Sequence, residues 1–124
     1  MRYMMIVKHP ENQGKPPQAL MDAITKLGEE ATKAGTMLGN GGLLPTALGS
    51  KIKMADGQLT VSDGPFTEAK EVIGGFAMFE LKTKEEAVEA GIAFMELHKK
   101  HWPQWVGEME IRPMFTAGDC PETV

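Results

Sequence analysis

At 124 residues, with 42% hydrophobic and 24% charged residues, the chain has the size and composition of one soluble domain that buries a core without staples. Acidic residues number 17 against 13 basic ones, a net charge of −4, which offers no electrostatic footprint for nucleic acid. Cys120 is the single cysteine, which excludes an intrachain disulfide, and the N-terminal apolar run ends at Lys8, too short for a signal peptide or membrane span. No nucleic acid, no membrane and a cytoplasmic location are expected.

The first element is Tyr3–Val7, short and apolar throughout, which suits a strand buried on both faces. His9-Pro10 ends it, because the residue before proline avoids the helical region. Glu11 to Pro17 is polar and reads as a loop. A helix is predicted over about Pro17–Ala34, with Leu20, Ile24, Leu27, Ala31 and Ala34 at helical spacing and Gly35 as the stop. Thr36–Leu44 is glycine-dense and reads as a strand or bulged edge. Ser50–Met54 and Gln58–Ser62 flank Asp56-Gly57, a favoured hairpin turn. Gly74–Leu81 is again apolar on both faces, with Phe76 and Met78 on one and Ala77, Phe79 and Leu81 on the other. Thr83 and Glu86 form a capping box for a second helix that runs to about His101, whose apolar side gathers Ala87, Val88, Gly91, Phe94, Met95, His98 and Trp102. Glu108–Met114 alternates as a final strand. Residues 1–115 are expected to form one domain, followed by a polar tail at 116–124.

The order β-α-β, hairpin, β-α-β is that of a ferredoxin-like split βαβ fold, an α+β class. Its two central strands should be Tyr3–Val7 and Gly74–Leu81. Two helices cover one face of such a sheet, and an uncovered apolar face would be a large exposed patch. A second copy packed face to face, giving a homodimer and a dimeric α+β barrel, is the expected remedy. Ten methionines against one tyrosine fit either core filling or an adaptable apolar pocket or interface.

Asp63 is the first candidate for chemistry. It follows Leu59 and Val61 on one strand face, so partial burial could raise its pKa and make it a proton-transfer group. Equally, it could be a turn-forming aspartate. His98 lies on the apolar side of the second helix near its end. It could carry a proton, pack with one nitrogen satisfied, or sit as a cation favoured by the helix dipole. His9, just past the first strand, could approach Asp63. Lys70 could meet an anionic substrate or belong to a solvated charged turn with Glu68 and Glu71. Trp102 and Trp105 could line a pocket mouth or simply pack, and Phe66, Phe76 and Met78 complete the expected contacts with a small apolar or aromatic ligand. No metal site and no cofactor are expected. The i, i+3 pair His98 and His101 lacks supporting ligands, and Gly39-Asn40-Gly41-Gly42 lacks the lysine–serine ending of a phosphate loop.

The string Ser62–Phe76, S-D-G-P-F-T-E-A-K-E-V-I-G-G-F, resembles the DGPF family within the YCII-related group of dimeric α+β barrel proteins. The likeness extends to R-Y-M-M-I-V at the start, G-N-G-G-L-L-P at Gly39–Pro45 and E-M-E-I-R-P at Glu108–Pro113. The resemblance implies the fold already inferred. It also implies that some relatives are enzymes acting on small ring compounds through a histidine–aspartate pair, with the histidine early in the first helix. This chain has no histidine between Pro10 and Glu96, so only Asp63 of that pair carries over. Three functions follow: a cofactor-free acid/base enzyme of isomerase, lyase or dehydrohalogenase type, a non-catalytic dimeric domain that binds a small molecule or protein, or a structural dimer.

Overall fold

The computed structural model describes residues 1–115; the expected tail at 116–124, with Cys120, lies outside the described residues. The elements in chain order are β1 (Arg2–His9), α1 (Gln18–Lys33), β2 (Met37–Gly42), a short 3-10 turn (Thr46–Leu48), β3 (Ser50–Ala55), β4 (Gln58–Asp63), β5 (Val72–Glu80), α2 (Lys84–His101) and β6 (Glu108–Met114). β2, β5, β1 and β6 form an antiparallel four-stranded sheet in that order. The two strands that are apolar on both faces therefore occupy its centre, as the sequence requires. β3 and β4 pair with each other as a separate two-stranded ribbon.

Both helices lie on one face of the sheet. That face carries Tyr3 and Met5 of β1 and Phe79 of β5, which are buried together with Ala87 of α2. Met109 and Ile111 of β6 close the layer, and the backbone of α2 approaches them at Gly91, where a Cβ would lie 2.9 Å from Met109 Sδ. Thr83 caps α2 by accepting from the Glu86 N–H at 3.2 Å. The Glu86 carboxylate reaches one residue further than the usual box, accepting from the Lys82 N–H at 3.1 Å. The buried side of α2 is narrower than the sequence suggests. Ala87, Gly91 and His98 are buried, while Val88 is 37% exposed because the helix rests on the sheet through its smallest residues.

The opposite face carries Met4 and Ile6 half-buried and Phe76 at its surface, with no helix over them among the described residues. Ion pairs bound it at both ends. Lys8 bonds Glu110 at 2.8 Å, and the amino terminus bonds Glu80 at 2.8 Å. Each pair is well solvated and adds little to stability. Two bulges break the ladder. One lets Leu38 stand outside the β2–β5 register. The other leaves Gly74 unpaired, so that β5 places Ile73 opposite Lys8 and Val72 opposite His9.

The β3–β4 ribbon turns at Asp56 and Gly57, both with positive φ (52° and 74°), as a two-residue hairpin turn requires. Its register sets Ile52 against Val61 and Met54 against Leu59. One face of the ribbon is thus apolar. All four side chains are at least 66% exposed.

Candidate functional site

Between α1, α2 and the helix-side face of the sheet lies a cavity of about 820 Å³. Apolar positions of α1 (Leu20, Ile24, Leu27) form one wall. The end of β1 and the last turns of α2 bring His9 and His98 to it, with Trp102 and Trp105 beside them. The aromatic rings are in contact. The His98 ring centroid is 4.4 Å from that of Trp105 and 4.9 Å from that of Phe94, and Trp105 reaches His9 at 6.0 Å.

His98 is 8% exposed. Its burial pushes the imidazole pKa below the usual value of 6.5, and a proton on nearby His9 pushes it further the same way. A bond to the Phe94 carbonyl, like the helix C-terminus, favours the cation, but desolvation outweighs it. The carbonyl can only accept, so Nδ1 at 3.3 Å from it carries the hydrogen, and the neutral ring keeps an unprotonated Nε2. His9 is fixed the same way, its Nδ1 donating to the Pro10 carbonyl at 2.8 Å. Its ring lies against the bulged Gly74, where any Cβ would overlap Nε2.

Because the folded state holds His98 below its unfolded pKa, the unfolded chain takes up the proton first as pH falls. The stability contribution of the neutral ring is complete above about pH 6.5. It declines below that value and stops changing once the folded imidazole also protonates. Wild type should therefore lose more denaturant-measured stability than His98→Phe between about pH 7 and about pH 5. Equal losses would mean that the ring is solvated.

The loop after β1 is tied down on both sides of the cavity. Glu11 accepts from the Thr46 hydroxyl at 2.6 Å and from the Thr46 N–H at 2.9 Å. These two bonds hold its carboxyl below the usual carboxylate range. Gln13 donates to the Val106 carbonyl and accepts from the Val106 N–H, both at 2.8 Å. The α2–β6 segment that carries Trp105 is thereby fastened to the β1–α1 loop.

Of the residues singled out from the sequence, His9, His98, Phe76, Trp102 and Trp105 line this cavity; Asp63, Phe66, Lys70 and Met78 do not. Of the two readings of Asp63, the one that needs partial burial is corrected. Asp63 is exposed, as are Leu59 and Val61, because nothing within the described chain covers their face of the ribbon. Its carboxylate accepts from the Ser50 hydroxyl at 2.8 Å, across the β3–β4 ladder, and no imidazole bonds to it. Lys70 is exposed, while Glu68 pairs with Lys51 at 2.7 Å in the expected charged turn. Lys51 also stands 4.3 Å over the Phe66 ring.

The Asp63–Phe66 turn is a junction. The Gly64 N–H donates to the Gly49 carbonyl at 2.8 Å, and the Phe66 N–H donates to the Thr46 hydroxyl at 3.1 Å. Thr46 thus receives Phe66 on one side and serves Glu11 on the other. Sequence reasoning missed Glu11, Thr46 and Gln13. Each is an ordinary polar loop residue, and only the folded chain brings them to the cavity.

An antiparallel ferredoxin-like chain with a separate hairpin and an apolar cavity under its helices defines an α+β fold rather than a reaction. The profile of the YCII-related domain matches residues 1–93, and the chain belongs to that family. It is also similar to the uncharacterized protein R00369 of Rhizobium meliloti (strain 1021), 26% identical over 103 residues that make up 82% of this chain and 77% of that protein. No helix among the described residues is long and apolar enough to cross a membrane.

Proposed function

We propose that the chain binds a compact apolar or aromatic molecule in the cavity beneath α1 and α2 and transfers a proton to or from it without a cofactor, in the manner of an isomerase, lyase or dehydrohalogenase. The observation that carries this reading is His98, a desolvated imidazole kept neutral on the wall of an otherwise mainly apolar cavity. A neutral imidazole with a free Nε2 is a general base, and a dry surrounding strengthens its effect on a polarised C–H or O–H bond. His9 is the partner imidazole. The aromatic rings of Trp102 and Trp105 provide contact surface for the ligand. Asp63 serves this reading by holding the ribbon through Ser50. Phe66, Lys70 and Met78 fall outside the binding surface in it.

The reading includes a homodimer. Its support is the uncovered face bearing Met4, Ile6, Phe76 and Met78, which a second copy would shield. Sedimentation equilibrium should give a dimer mass; a monomer at micromolar concentration removes this part.

Exchange of the α-protons of 2-tetralone in heavy water tests the chemistry. The protein should accelerate it, and His98→Phe, which keeps the ring volume, should lower the acceleration by about 100-fold or more. If tetralone binds and exchange is no faster than in buffer, the chain is a binding domain, the alternative that the apolar cavity also supports. If tetralone does not bind, both readings fall.

A further inference from the structure

The charge of the cavity wall narrows what it can hold. Among the described lining residues there is no lysine and no arginine. Lys15 belongs to the β1–α1 loop but is exposed and outside the lining. Residues 116–124 contain no basic residue either. The one permanently charged side chain of the lining is Glu11, whose carboxylate is locked in place by two bonds from Thr46. Glu11 stands near the other polar ring of the wall, His9. His98 meets the cavity as a neutral ring.

We infer that this cavity selects an uncharged ligand and rejects carboxylates and phosphates, with Glu11 as the specificity-determining residue. The inference rests on the cavity being the ligand site. A carboxylate that entered would lose its water and gain no cation. It would also stand beside a like charge already fixed in the wall. An uncharged ring compound of the same size gains the same apolar contact and pays neither cost. Discrimination of this kind arises from a repulsive element more than from a new attraction. Glu11 thus performs two tasks with one group. It anchors the 3-10 turn through Thr46, and it sets the sign of the field inside.

Calorimetric titration at neutral pH with a matched pair, naphthalene-2-methanol and 2-naphthoate, tests this. The alcohol should bind, and the carboxylate should bind at least about tenfold more weakly, about 1.4 kcal/mol. In Glu11→Gln, whose amide oxygen can accept from the Thr46 N–H while its NH2 donates to the Thr46 hydroxyl oxygen, the gap should narrow to less than about threefold. Backbone amide shifts at Leu20 and Trp105 report whether either probe occupies the cavity in each variant. Equal or tighter binding of 2-naphthoate overturns the inference while leaving the cavity as a ligand site. A gap that Glu11→Gln leaves unchanged overturns the role of Glu11. Absence of binding by both probes removes the ligand site itself.

Discussion

Gly64→Ala is expected to destabilise the protein by about 3 kcal/mol or more, roughly a 10 °C fall in melting temperature for a domain of this size. The reason is steric. A methyl group at position 64 would overlap the Thr46 carbonyl oxygen and lie 3.3 Å from the Ala47 Cα. Both are backbone atoms, which cannot swing aside as a side chain does. Relief requires the 3-10 turn to move, and Thr46 then loses its bonds to Glu11 and Phe66. Gly42→Ala is the matched control. A Cβ there meets nothing within 4 Å, so the change should stay within about 0.5 kcal/mol. Thermal melts that place Gly64→Ala beside Gly42→Ala would show that the junction is slack.

The second large effect is expected from Phe79→Ala, a loss of about 3–5 kcal/mol in denaturant unfolding. Phe79 lies in a central strand, opposite Tyr3 on β1 and Met37 on β2. It is 7% exposed and belongs to the buried cluster with Tyr3, Met5 and Ala87. Its truncation removes aromatic contact and leaves a void against an existing cavity, since Phe79 also lines it. The neighbouring strands are held by ladder hydrogen bonds and cannot collapse into the gap. A bound apolar probe should restore part of the loss: at a concentration 100 times its dissociation constant, about 2.7 kcal/mol. A cost below about 1 kcal/mol would mean that the cluster is loosely packed.

Much of the architecture was legible because it rests on local rules. Tyr3–Val7 and Gly74–Leu81 are apolar at every other position on both faces, and only the centre of a sheet accommodates that. Thr83 with Glu86 and Asp56 with Gly57 mark a helix start and a hairpin turn by chemistry within a few residues. The environment of Asp63 was not legible, for a definite reason. Alternation along β4 tells which side chains share a face, but not whether another element covers that face. Leu59, Val61 and Asp63 share theirs, and it is exposed. The cavity was half legible. His98 stood out as a polar residue on an apolar helix side, and His9 as the residue closing β1. Their placement on one cavity wall, on either side of Trp105, and the arrival of Glu11 from a polar loop, depend on contacts between segments far apart in the chain. No local pattern encodes those.

The junction built from Glu11, Thr46 and the Asp63–Phe66 turn has a bearing on how kinship and reaction relate. The turn Asp63–Phe66 fastens a hairpin to the rim of a chamber without facing into it, whereas Val72–Gly75, further along the Ser62–Phe76 string, line it. A substitution among the side chains of the chamber wall can therefore leave the turn and its fastenings at Thr46 untouched.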